Sequence, residues 1–174
     1  MKTKFGNQKG FLPLVPAVII GIVVLGGGAV VAAQNSVPGD KLYGLKNATE
    51  RIRIIMSFTH SEKAKVHLAI TLEKLEELQK LQSERADANE ISEAAKSLKD
   101  HQDDAIEEFK LSADQGLNTT EIIQQLKENS EQQQNVLSDL LTKVPTAAKE
   151  SIKSAAQSSS TGLQKAQEAQ SKRP

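Results

Sequence analysis

The chain contains no cysteine and no tryptophan, and among its 174 residues there are one tyrosine and four phenylalanines. Without cysteine there is no disulfide framework and no thiolate zinc site. With so few aromatics, the composition rests on Ala, Leu, Lys, Glu, Gln and Ser, which suits long helices and fits sandwiches or barrels poorly. Net charge is missing too. The 22 basic residues balance 22 acidic ones, so charge gives no bias toward nucleic acid or an acidic partner. No glycine-rich phosphate loop and no nucleophile elbow is present. The acids Glu73, Glu76, Glu77 and Asp103, Asp104, Glu107, Glu108 read as solvated helix surfaces, not as an acid–base pair. The expectation is a non-enzymatic protein with no catalytic residue and no cofactor. Its length fits one domain plus a targeting segment.

What the chain does have is a long apolar run. Phe11 to Ala33 carries no charge, and these 23 residues would span roughly 34 Å as a helix, enough for a hydrocarbon core of about 30 Å. Lys2, Lys4 and Lys9 precede the run, and no base follows until Lys41. The positive-inside rule then keeps residues 1–10 cytoplasmic and places everything after Gln34 outside. The leading expectation is an uncleaved transmembrane signal-anchor at 11–33, because the run exceeds the usual signal-peptide core of roughly 7–15 residues. Its first partner would be the lipid bilayer. Two other fates remain open. Val31-Ala32-Ala33 offers small residues for cleavage after Ala33. Lys9-Gly10-Phe11 resembles the processing site of type IV prepilins, although Val15 stands where prepilins usually carry a glutamate and Pro13 and Pro16 come early. All three fates export residues 36–174.

Residues 34–40 read as a turn or linker. In Val37-Pro38-Gly39-Asp40, proline presets its own φ and glycine accepts the positive φ of a type II turn. Asp40 is expected to cap the helix that follows. That helix has apolar residues at Leu42, Leu45, Ala48, Ile52, Ile55 and Met56, expected to face the core, with Lys46, Glu50 and Arg53 solvated on another face. Tyr43 is placed at the domain edge. A second helix is expected from about Ser61 to Glu84, with Thr59 or Ser61 as cap and a stripe of Ala64, Leu68, Leu72, Leu75, Leu78 and Leu81. A third runs from about Asn89 to Asp114, stopped by Gly116. A fourth starts after Asn118 or Thr119 and ends before Pro145, and a last one starts at Thr146. From Ser158 the tail, rich in Ser, Gln and Ala, is expected to fray or be disordered through residue 174. Short links make neighbouring helices antiparallel. The expected fold is all-α: an up-down bundle of four to five helices over 41–157, with the first a shorter member and the last a lid.

The stretch PGD-x-LY-x-x-K, carried by Pro38, Gly39, Asp40, Leu42, Tyr43 and Lys46, resembles a bacterial family of uncharacterised helical domains that follow a membrane segment in cell-envelope proteins. Members usually read PGD-x-LYP-x-K, and here Gly44 replaces the proline. The resemblance continues at Ser57 to Leu78 and Leu141 to Ala155, and so covers most of 36–156. It implies a helical domain in the envelope of a bacterium and a structural role for the six motif residues. It implies no activity.

Three polar residues interrupt otherwise apolar stripes: Gln102, Asn129 and Gln133. They are expected to form a hydrogen-bonded layer that fixes register, or to face water, with a polar pocket at mid-bundle as the functional alternative. His60 and His67 lie seven residues apart, and His101 stands near Asp103 and Asp104. Metal-binding helices more often use closer spacings, so no metal site is assigned. Asn47-Ala48-Thr49 and Asn118-Thr119-Thr120 match glycosylation sequons, read as chance in a bacterial context. Together these features point to a membrane-anchored, extracytoplasmic module in the bacterial cytoplasmic membrane that binds another protein or an envelope component and no nucleic acid. A pilin-like subunit processed after Gly10 and an envelope sensor of a metal or small ligand are the alternatives.

Overall fold

The computed structural model describes residues 32–171. The expected membrane span therefore lies outside the described residues, apart from its last two. Among the described residues no helix is long and apolar enough to cross a membrane. The elements are α1 (Tyr43–Ile55), α2 (His60–Ser83), α3 (Ala88–Asp114), α4 (Thr120–Lys143), a 3₁₀ turn (Thr146–Ala148) and α5 (Lys149–Ser171). There is no strand among them.

Local chemistry sets most of the boundaries. Thr59 accepts the Glu62 amide while Glu62 reaches back to the Thr59 amide, a capping box that starts α2. Asp87 and Glu90 do the same for α3. Gly116, at φ +72°, ends α3, and the Leu117 amide returns to the Ser112 carbonyl. At the end of α2 the same left-handed position is filled by Arg85, at φ +55°, with the Ala86 amide on the Leu81 carbonyl. Asn118 accepts the Thr120 amide at 3.0 Å ahead of α4.

Helices α2 to α5 form a four-helix bundle in which α2 packs on α3 and α4, and α5 packs on the same two. One apolar cluster joins Leu75, Leu78 and Leu81 of α2 to Ile91 and Leu98 of α3, Leu137 and Leu140 of α4 and Ile152 of α5. A second, at the other end, joins Leu68, Phe109, Ile122, Leu126 and Ala166. Each cluster draws on the late part of one helix and the early part of the next, so consecutive helices alternate in direction. Truncating one of these buried leucines costs about 2–5 kcal/mol.

Between the two clusters lies a neutral polar layer. Gln133 donates to Gln102 at 3.0 Å, and Gln102 donates to the Ser130 hydroxyl at 3.3 Å. Ser159 donates to the Ser130 carbonyl at 2.9 Å, and Asn129 donates to the Leu68 carbonyl at 2.8 Å. The layer thus ties all four bundle helices together, as expected for Gln102, Asn129 and Gln133, with Ser130 and Ser159 as additional members.

Two expectations about the last helix are corrected. It is a full member of the bundle, not a lid. It also continues to Ser171, where a frayed tail was expected from 158. Ser158, Ser159, Gly162 and Ala166 are buried. Small residues make this contact possible. A Cβ on Gly162 would lie 2.3 Å from Gln102 Nε2 and 2.7 Å from Ser130 Oγ. The helix can approach the layer only because nothing projects there.

Candidate functional site

Helix α1 stands outside this bundle, and its orientation reverses the expectation. Its buried residues are Tyr43, Lys46 and Glu50. Leu42, Leu45, Ile52, Ile55 and Met56 are exposed, with Ile55 at 75 %, and Phe58 just beyond is 89 % exposed. The charged face points in and the apolar face points out. The cause lies in α2, which offers α1 a polar surface of Glu73, Lys74 and Glu77. An apolar face laid there would have left Glu73 without Arg53 and the Lys74–Glu77 pair buried without the Lys46 and Glu50 that complete its charge balance.

The paired charges form a continuous seam. Lys46 Nζ lies 2.7 Å from Glu77 Oε1, and Lys74 Nζ lies 2.9 Å from the same oxygen. Lys74 also reaches Glu50 Oε1 at 2.8 Å and donates to the Tyr43 hydroxyl at 3.4 Å. Arg53 pairs with Glu73 at 2.6 Å. As the residue number rises along α1 it falls along α2, so the two helices run antiparallel. Lys74 has no exposed surface, yet two lysines face two glutamates around it and the local charge balances. Burial acts to lower the Lys74 pKa, but Glu77 and Glu50 outweigh it and hold it above the ordinary value. Burial raises Glu50, with Lys74 opposing. The Tyr43 phenol is pushed up to about 12, first by burial and then by Glu77.

The motif residues build the entry to this seam. The Asp40 amide bonds the Val37 carbonyl at 3.0 Å, and Gly39 has φ +94°, as a type II turn requires. A Cβ on Gly39 would also strike the Glu90 carboxylate. Asp40 does not cap α1, contrary to expectation. Its carboxylate accepts the Val37 amide at 2.9 Å and closes the turn on itself, and Leu42 precedes the helix with no side-chain cap. Lys46 also donates to the Ser36 carbonyl at 3.4 Å, while Val37 enters the first apolar cluster. Residues 35–37 are thereby fixed between α1 and the bundle. Tyr43 and Lys46 hold the seam, and Leu42 faces outward.

Beyond Glu50 the seam meets the histidines. His101 Nε2 faces Glu50 Oε2 at 4.0 Å. Its Nδ1 lies 3.0 Å from His67 Nδ1, which is 3.7 Å from Asp104 Oδ2. The His101 pKa is lowered to about 4 by burial and then by His67, Lys74 and Arg53. Burial also lowers His67, against Asp104 and Glu108, and raises Asp104 against His67. A cleft of about 340 Å³ lined in part by Tyr43, Asn47, Ser97 and Asp100 opens onto Glu50 and His101. His60 sits apart from this pair, 2.5 Å from Glu108. Asp103 pairs with Lys99 at 2.5 Å and accepts the Ser158 hydroxyl.

The structure thus joins His67 to His101 and Asp104, whereas spacing along the chain had grouped His67 with His60. Sequence reasoning also missed Lys74, Glu77 and the burial of Lys46 and Glu50. One signal was available: Tyr43, Lys46, Glu50 and Arg53 recur at intervals of three and four, a second stripe anchored by the chain's only tyrosine.

A family model described as Domain of unknown function (DUF5667) matches residues 35–147. No curated protein and no solved structure matches the chain.

Proposed function

The chain belongs to the DUF5667 family, and we propose that it is a single-pass, membrane-anchored, non-enzymatic module of the bacterial cell envelope. Residues 11–33 cross the bilayer, the bundle stands outside, and α1 rests its apolar face on the membrane surface. The observation that carries this reading is the outward apolar face of α1, ten residues after the apolar run ends.

Three features favour lipid as the occupant of that face. Residues 35–36 are bonded to Lys80 and Lys46, so the end of the apolar run is held beside α1. Lys41 and Arg51 point outward on and beside α1, with exposed Asp40 next to Lys41, while Glu50 is turned inward. Bases flanking Leu, Ile, Met and Phe are the composition of a helix that lies in an anionic interface. An exposed patch of this kind is also unusual on a free domain. Resting on the membrane, the bundle presents its charged outer faces to another envelope component.

Photo-crosslinking in native membranes tests this reading. A photoreactive phenylalanine at Ile55 of the full-length protein is expected to yield lipid adducts, and one at exposed Glu128 is not. A discrete protein adduct at Ile55 would replace the lipid by a partner, and equal labelling at both positions would refute the docking of α1.

A further inference from the structure

The histidine end of the seam has a geometry that neither the family match nor the membrane reading uses. We propose that His67, His101 and Asp104 form a binding site for a divalent first-row transition metal ion of borderline softness, with Zn²⁺ as the reference ion. This inference is independent of where the protein resides.

His101 and Asp104 are three residues apart on α3 and so share one face, opposite His67 on α2. Their three ligand atoms all lie within 4.8 Å of one another. Bonds of about 2.0–2.1 Å from zinc to imidazole nitrogen place neighbouring ligand atoms about 3.0–3.4 Å apart. The separations here are 3.0 Å for the two Nδ1 atoms and 3.7 Å from His67 Nδ1 to Asp104 Oδ2, so coordination requires the exposed carboxylate to draw closer to the two rings. Two imidazoles and a carboxylate form a donor set suited to Zn²⁺, Ni²⁺ or Cu²⁺.

The surroundings favour coordination in two further ways. Both imidazoles are held toward the neutral form by burial. A neutral imidazole offers one nitrogen lone pair, so ligation through both Nδ1 atoms moves the proton they share to the outer nitrogen of one ring. Glu50 Oε2 lies 4.0 Å from the outer nitrogen of His101, beyond hydrogen-bond distance, and its charge favours the proton on Nε2, which leaves Nδ1 free to ligate. Asp104 is exposed, so the remaining coordination positions open to water or an outside ligand. In the absence of metal, the two Nδ1 atoms can share only one proton, as a single imidazole-to-imidazole hydrogen bond.

The test uses the full-length chain, purified in detergent and stripped with a chelator, with ZnCl₂ titrated by calorimetry and Co²⁺ followed by its visible spectrum. One ion per chain is expected. Asp104→Asn and His101→Gln are each expected to weaken binding by about tenfold or more, and His60→Gln to leave it unchanged. Far-UV circular dichroism checks each variant. Should His101→Gln fail to fold, the exposed Asp104→Asn decides. Absence of saturable binding for Zn²⁺, Ni²⁺ and Cu²⁺, or wild-type affinity in Asp104→Asn, would overturn the proposal.

Discussion

Two polar regions cross this protein, and they do opposite work. The layer of Gln102, Asn129, Ser130, Gln133 and Ser159 is neutral, lies inside the bundle and is shared by α2, α3, α4 and α5. The seam of Lys46, Glu50, Lys74 and Glu77 is ionic, lies at the bundle's flank and joins α1 to α2. The first sets the register of helices that apolar clusters already hold together. The second is the main attachment of a helix whose apolar residues lie on the wrong side to help. Removing a polar group should therefore shift stability in the layer but release a whole element in the seam.

The largest expected effect is at Lys74. Lys74→Ala leaves Glu50 and Glu77 buried without their shared cation, a loss of about 3–5 kcal/mol. Hydrogen exchange should show α1 losing protection while α2 to α5 keep theirs. Uniform loss across all helices would erase the distinction between the two regions.

Alkaline pH tests the seam without mutation. The Tyr43 phenol titrates near 12 in the fold against an ordinary 10. Between these values the unfolded chain gives up a proton that the folded chain keeps, so stability falls as pH rises, by roughly 2–3 kcal/mol in all. Lys74, also raised, acts in the same direction. Because Tyr43 is the only tyrosine, phenolate absorbance reads the transition directly. A phenol titrating at 10 in the folded protein would contradict its burial in the seam.

Gly162→Ala probes the layer. The added methyl meets Gln102 and Ser130, and the expected cost is about 1–3 kcal/mol despite the better helix propensity of alanine. Chemical denaturation measures it, and a stabilised variant would mean that α5 does not press on the layer. The smallest effect lies outside both regions, in the link between α2 and α3. Arg85→Gly relieves a left-handed residue at the end of α2 and should add about 1 kcal/mol, read as a higher denaturation midpoint.

Bundle and seam were not equally legible in the sequence. Leu68, Leu75, Leu78 and Leu81 repeat at helical spacing, and Thr59 and Gly116 mark boundaries by their own chemistry, so α2 and α3 could be read directly. The length of α5 could not. Its buried face is serine, glycine and alanine, which hydropathy scores like a tail, and its partner is a layer built from α3 and α4. In α1 the apolar periodicity was real but was assigned to the wrong surroundings. Periodicity identifies two faces, and only the partner surface decides which one is buried. The histidine cluster was hidden for a related reason, because His67 and His101 meet across two helices and no spacing along one helix reports that.

The reversal of α1 is most directly tested by a fluorophore on Ile55→Cys in the full-length chain, reconstituted in liposomes. The chain has no native cysteine, so the label is unique. Quenching by nitroxide-labelled lipid at headgroup depth, with protection from aqueous iodide, is the expected result. Protection from both quenchers, which would mean Ile55 is buried in protein, would contradict it.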